Sequence, residues 1–444
     1  MSEDTSHASQ FVGWLRSVAP YIHAHRGKTF VVAIGGELIA AGALNALVQD
    51  VALLAAMGVR IVLVHGFRPQ IEEQLREKGV GARYAHGMRV TDAIALDAAQ
   101  EAAGQLRFEI EATFSQGLPN TPMAGATLRV VSGNFITARP VGVIDGVDFQ
   151  HTGLVRKVDA PTIQRALEYG AVVLLSPFGF SPTGEAFNLT MEDVAASVAA
   201  ALKAHKLIVL TETPGVLDDD GQLLPELTVA QAESLLARQP QAQRSSDTAF
   251  YLRHVVRACR AGVGRAHVIP FALDGSLLLE LFTHDGVGTM IADEHLEHLR
   301  EATADDVGGI LQLIEPLETE GVLVKRSRTE IERDIANYTV LEHDGVIFGC
   351  AALYPYPDEK TGEMAALTVS PSAQGQGDGE RILKRIEQQA RALKLQSIFV
   401  LTTRTMHWFI KRGFVPVERS WLPEARRLRY DDQRRSHVLV KRLG

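Results

Sequence analysis

The chain has only two cysteines, Cys259 and Cys350, with no CxxC or Cys/His spacing near either. That argues against a disulfide framework and a thiolate metal site, so both read as core thiols and no metal is expected. Long apolar runs are missing too: none reaches the roughly 20 residues of a membrane-spanning helix. The opening MSEDTSHASQ has neither the basic region nor the apolar core of a signal peptide, so a cytoplasmic protein without a membrane partner is expected. Nor is there an excess of positive charge. The formal net charge of −8 gives no reason to expect a nucleic-acid partner.

That charge is unevenly spread. Residues 404–444 hold eleven Lys/Arg against four Asp/Glu, a local +7 that leaves −15 for the rest, and this points to an anionic ligand near the C-terminal end. The remaining composition is that of folded α/β material, 46% apolar and 22% charged, and 444 residues are too many for one ordinary core.

Phe11, Trp14, Leu15, Val18 and Ile22 recur at helical spacing and predict an amphipathic N-terminal helix over residues 1–25. Continuous apolar strands then alternate with helices: TFVVAIGG, VRIVLVHG, GAVVLLSPFG, KLIVLTETPG. Such runs are buried on both faces, which predicts a parallel-rich α/β/α sandwich over 26–292, with ligands at the carboxyl ends of its strands. Residues 130–149, with scattered Gly and Pro, read as antiparallel β inserted in that sheet. The charged stretch over 293–306 reads as a linker region. An α+β domain over 300–444 follows, in which two helices precede three sequential strands, YTVLEH, VIFGCAALYPY and GEMAALTVS, and a helix over 377–393 comes next.

Chemistry is most specific in LTVSPSAQGQGDGERIL, where Gln374, Gly377 and Gly379 satisfy QxxGxG between a strand and a helix. Bare N–H groups at a helix start bind a pyrophosphate through hydrogen bonds and the helix dipole. With Gly413-Phe414 in HWFIKRGFVPV, this motif resembles that of the GNAT acetyltransferase family. The resemblance implies acetyl-CoA as co-substrate, its pantetheine arm along Leu367, Thr368 and Val369 and its pyrophosphate on Gln374, Gly375, Gln376, Gly377, Asp378 and Gly379. Phe409 stands where many of these enzymes have a tyrosine acid, leaving Thr402 or water for that role. Glu363 opens the strand that runs to the motif and is the candidate base.

Arginines form bidentate pairs with carboxylates, so the arginine-rich tail suits an acceptor with two of them. LTTRTMHWFIKRGF, LPEARR and RRSHVLV resemble the acetyltransferase domain of the bacterial N-acetylglutamate synthase family, whose acceptor is L-glutamate. That resemblance implies that Arg426, Arg434 and Ser436 hold the glutamate carboxylates.

VVAIGG, VLVHGFRPQI, GEAFNLTMEDVAASVAAAL and LLLELFTHDGVGTMI resemble the amino acid kinase family, most closely its N-acetylglutamate kinase branch. Against that pattern Ala33 replaces a lysine and Phe67-Arg68 fill a glycine loop. Phosphoryl transfer needs cations and bare glycine N–H groups around the phosphate, so no ATP chemistry is expected; nucleotide binding without catalysis stays open. The resemblance implies a regulatory domain binding L-arginine through Tyr21, Lys206, Glu280, Gly286 and Gly288. It also implies a homo-oligomer, hexameric where N-terminal helices interlace dimers. Two rival readings remain, an arginine sensor with an inactive acetyltransferase domain and a bifunctional synthase and kinase.

Overall fold

The computed structural model describes residues 2–126, 128–218, 220–238, 247–283, 285–293, 298–343, 345–374 and 377–443. The chain separates into two compact units, residues 1–295 and 296–444.

The first unit opens with helix α1 (Ser2–His25) and is built on an eight-stranded sheet. In chain order its strands are β1 (Thr29–Ile34), β2 (Arg60–His65), β3 (Val130–Val131), β4 (Val172–Leu175), β5 (Lys206–Thr211), β6 (Glu226–Thr228), β7 (Arg265–Pro270) and β8 (Thr289–Ala292). They lie side by side as β6-β8-β7-β5-β1-β2-β4-β3, all neighbours parallel except β7 and β8. Phe30 to Ile34 are completely buried because helices cover both faces, which is why these strands are continuously apolar. The helix Met191–Leu202 is capped by the Thr190 side chain and lays Val194, Ala195 and Val198 against Val31, Val62 and Val64.

Only Val130–Val131 of the segment expected to insert into this sheet joins it. Ile136–Pro140 and Gly153–Val158 pair in a separate four-stranded sheet with Phe178–Phe180 and Ala186–Asn188. Pro140, Gly142 and Gly146 in that stretch favour turns and edges over a central parallel strand.

The second unit is a seven-stranded sheet of β9 (His298–Glu301), β10 (Tyr338–His343), β11 (Val346–Tyr356), β12 (Thr361–Val369), β13 (Ser397–Thr402), β14 (Val415–Val417) and β15 (His437–Arg442), in the order β9-β10-β11-β12-β13-β15-β14. The stretch expected as a linker thus contains a strand: His298–Glu301 pairs antiparallel with β10, and Arg300 is held by Glu342 and Asp306. Two of its charges, Arg300 and Asp306, which suggested a solvated connection, pair within the unit. One sheet face carries helix α2 (Val307–Thr319) on Val340, Cys350 and Ala352. The other carries helix α3 (Asp378–Ala392), whose Ile382, Leu383, Ile386 and Ala390 pack on Leu341, Ala351, Leu353 and Met364.

Candidate active site and regulatory site

Strands β12 and β13 run parallel, yet among the described residues their pairing covers only Thr361 to Glu363 against Ser397 to Phe399. Beyond that point β12 continues to Val369 alongside β11 alone. A register shift opposite Cys350 to Ala352 and a left-handed Ala366 (φ 54°) form a bulge that bends β12 away. The two strands therefore part like the arms of a V, with Glu363 at its vertex, and the edge of β12 facing β13 is left to pair with something other than a strand.

At the open end of β12 lies the turn into α3. Gly377 caps the helix at φ 95°, a conformation that glycine adopts without strain. A Cβ there would meet nothing within 4 Å, so the backbone dihedral and not crowding demands the glycine. Gly379 differs: a Cβ would come within 3.1 Å of the Trp408 ring, on which the Arg412 guanidinium stacks at 3.9 Å. Gln374 donates to the carbonyl of Val369 at 3.0 Å, tying the turn to the strand end. Asp378 is buried beside Arg381, at 3.2 Å. Leu367 and Val369 are half-buried, and buried Thr368 donates to the Ala366 carbonyl. Gly375 and Gln376 lie outside the described residues.

Glu363 is 8% exposed and receives both donors of the Arg426 fork, Nε at 2.6 Å and Nη2 at 3.1 Å. Burial works against the Arg426 charge, but the bonds and charge of Glu363 outweigh it and raise the arginine's pKa. The sequence assigned one of these residues to proton transfer and the other to the substrate; the structure joins them to each other. Arg434 stands apart. Its Nη2 donates to the carbonyls of Val322 (2.8 Å) and Gly321 (3.3 Å), just past the end of α2. The Ser436 carbonyl accepts from Tyr430 Oη at 2.6 Å. Thr402 is buried at the far end of β13, its hydroxyl 2.8 Å from that of Thr405. Three residues beyond Phe399, the cross-strand partner of Glu363, strand alternation turns Thr402 to the α3 face, opposite Glu363. Phe409 is core, edge-on to Trp408 and Phe414.

Sequence reasoning passed over Tyr354, directly opposite Glu363 on β11, and Tyr356, which shares its face. Burial first, then the charge of Glu363, raises the Tyr356 pKa. The signal was the alternation in LYPY, since residues two apart on a strand share a face.

Of the residues expected around an effector, Lys206 opens β5 beside Arg265, and Glu280, Gly286 and Gly288 meet alongside β7. Helix α4 (Ser276–Phe282) carries Glu280, 9% exposed, whose carboxylate accepts from the N–H groups of Val287 (2.7 Å) and Gly288 (3.2 Å) and shares a 2.6 Å bond with His267 Nδ1. Burial opposes the Glu280 charge, but these partners hold its pKa below the ordinary carboxylate range. Burial, then the charge of Lys206, pushes His267 down. Lys206 is 5% exposed and not a solvated strand edge. Gly286 is left-handed (φ 62°), and a side chain there would strike Glu280; one on Gly288 would strike the Val268 carbonyl. Tyr21 is buried on α1, whose His25 bonds the Leu281 carbonyl at 3.0 Å and meets Phe30 and Phe282 edge-on. His25 and His267 had no sequence signal, since their partners are 256 and 13 residues away.

A further cavity of about 110 Å³ lies at the carboxyl ends of β1 and β2, lined in part by Gly35, Gly36, Gly66 and Arg89. Phe67 is buried beside it, stacked 5.7 Å from Phe178, and Arg68 pairs with Glu37 at 3.5 Å. An aromatic ring and an ion pair thus stand where a phosphate-binding loop needs bare glycine.

Two family models match the chain: the amino acid kinase family over residues 28–270 and the acetyltransferase (GNAT) family over 308–414. The amino-acid acetyltransferase of Ralstonia nicotianae is 64% identical over 439 residues, covering 99% of this chain and 97% of its own. That of Azotobacter vinelandii is 50% identical over 433, or 98% and 99%. Among solved structures, N-acetylglutamate synthase from Neisseria gonorrhoeae, complexed with coenzyme A and L-arginine, matches with a TM-score of 0.86 at 41% identity, over 98% of this chain and 99% of that one. The same synthase with coenzyme A and N-acetyl-glutamate matches at 0.62 over the same shares.

Proposed function

The chain belongs to the amino-acid acetyltransferase family, and from that premise we propose how its residues divide the work. The enzyme transfers the acetyl group of acetyl-CoA to the amino group of L-glutamate, giving N-acetyl-L-glutamate and CoA, the first step of arginine biosynthesis. In our reading the pantetheine amides pair with the free edge of β12 at Leu367 to Val369, and the pyrophosphate meets the turn from Gln374 to Gly379. The thioester then enters where β12 and β13 part, with the glutamate amine on the Glu363 face. Glu363 takes a proton from the ammonium, directly or through water. The amine nitrogen attacks the thioester carbonyl carbon, the C–S bond breaks, and its electron pair leaves on sulfur. The second proton lost by that nitrogen reaches the thiolate through the Thr402 and Thr405 hydroxyls or water, leaving the neutral amide and CoA thiol. General-base help of this kind is worth about 10²- to 10⁴-fold in rate. Arg434 Nε and Nη1, with Ser436, are our candidates for the glutamate carboxylates.

The observation that carries this reading is the end of strand pairing at Glu363, which opens a backbone edge beside a buried carboxylate. Release of CoA thiol from acetyl-CoA, measured with each amino acid in turn, tests it. Glutamate should be strongly preferred, and a preference for an acceptor without a second carboxylate would overturn the assignment.

We read the first unit as regulatory, with L-arginine at Tyr21, Lys206, Glu280, Gly286 and Gly288, where opposite charges suit both ends of a free amino acid. The L-arginine in the Neisseria complex supports this. The exposed Phe11, Trp14 and Leu15 of α1 suit a subunit contact in a homo-oligomer, and a hexamer is our reading of its size. Acetyl-CoA and glutamate as substrates go with a cytoplasmic site of action.

A further inference from the structure

Strands β14 and β15 pair antiparallel, yet nineteen residues, 418–436, connect them where two to five would close a hairpin. This connection is packed. Leu422 is buried and joins Phe399, Val438 and Val440, and Trp421 meets Phe399 edge-on at 5.9 Å. Tyr430 packs on the same cluster, bonds the Ser436 carbonyl and carries the Arg419 guanidinium 4.2 Å over its ring, while Arg419 also pairs with Asp432. A one-turn helix, Glu424–Arg427, sits between these anchors and projects Arg426 onto Glu363, 63 residues earlier in the chain.

All three nitrogens of that guanidinium have partners within the chain. Nε and Nη2 go to the two oxygens of Glu363, and Nη1 goes to the Arg429 carbonyl at 3.3 Å. A planar fork on a carboxylate fixes both its distance and its plane, more than a lysine's point charge does. The other ionisable groups around the pair are Tyr354, Tyr356, Tyr430, Arg429 and Glu359. Among the described residues none of these five hydrogen-bonds the Glu363 carboxylate, so Arg426 alone sets its orientation.

We propose that the 418–436 connection is a built positioning device, and that Arg426 acts through Glu363, aiming its carboxylate at the acceptor amine, instead of clamping a glutamate carboxylate. The proposal rests on the reading of Glu363 as the base. It makes Arg426 a positioning residue whose loss appears in turnover and not in substrate affinity.

The test compares Arg426→Gln, Arg426→Lys and Glu363→Gln in the full chain, with initial rates against glutamate at saturating acetyl-CoA. Arg426→Gln should lower kcat at least about 100-fold, the lower end of what a general base supplies, with glutamate KM changed less than about 3-fold. Arg426→Lys should restore part of kcat. Should Arg426→Gln fail to fold, Tyr430→Phe, which unties the connection without touching the pair, should lower kcat in the same direction. A rise of ten-fold or more in glutamate KM, with kcat at its wild-type value, would overturn the proposal and return Arg426 to the substrate. Wild-type kcat in Glu363→Gln would instead sink the base assignment itself.

Discussion

His267 Nδ1 and Glu280 Oε1 stand 2.6 Å apart, with neither side chain more than 4% exposed. The same carboxylate gathers the N–H groups of Val287 and Gly288, so one acid ties β7, α4 and the turn before β8 together. Glu280→Ala should relieve arginine inhibition while leaving activity without arginine nearly intact, because our proposal puts every catalytic group in the second unit. A hydrogen bond to a charged group is worth about 1.5 to 3 kcal/mol, so the half-inhibitory arginine concentration should rise by about 10- to 150-fold. Initial rates against arginine concentration measure it, and full inhibition at the wild-type concentration would place arginine elsewhere.

Helix α1 joins that same region through Tyr21 and His25, while Phe11, Trp14 and Leu15 are 61%, 58% and 48% exposed. Deleting residues 1–24 should weaken arginine inhibition and lower the light-scattering mass together. Unchanged mass with weakened inhibition would confine the helix to its own subunit's effector site.

Gly377 sits at φ 95° with open space where a Cβ would be. Gly377→Val should raise the acetyl-CoA KM sharply, because a β-branched residue drives the turn out of the left-handed region and misaligns the first N–H groups of α3. Gly377→Asn should keep most of the affinity, since asparagine tolerates that conformation. Equal loss in both variants would point to crowding by the side chain as the cause.

Arg434 braces the carbonyls of Gly321 and Val322 through Nη2. If Nε and Nη1 meet a glutamate carboxylate, Arg434→Ala should raise the glutamate KM by a factor corresponding to about 1.5 to 3 kcal/mol, and lysine should restore only part of it. A lower melting temperature at unchanged KM would leave the residue with its bracing role alone.

His65 is fully buried at the end of β2, with Nε2 2.8 Å from Ser176 Oγ. Burial holds its pKa down at about 4. Between the ordinary value of 6.5 and that value, the unfolded chain binds a proton here that the folded chain refuses, so stability is present above pH 6.5 and lost as pH falls. The loss from this group alone comes to about 2 kcal/mol between pH 7 and pH 5. Urea unfolding of wild type and His65→Gln at both pH values should show a shallower dependence in the variant; parallel curves would remove His65 as the source.

Read alone, the sequence determined both alternations of strand and helix, the QxxGxG turn ahead of an amphipathic helix, and the replaced positions of a kinase-like site, Ala33 on its strand and Phe67 and Arg68 in its loop. These are local: burial on two faces makes a strand continuously apolar, and a helix start needs bare N–H groups, whatever the rest of the chain does. Tertiary structure alone decided where β12 leaves β13, because that depends on a bulge at Ala366 and on the register of three strands. It also decided that Arg426 meets Glu363 and that His267 meets Glu280. A charged side chain takes its partner from whatever the packed sheet brings within about 3 Å, and neither spacing nor composition records that choice.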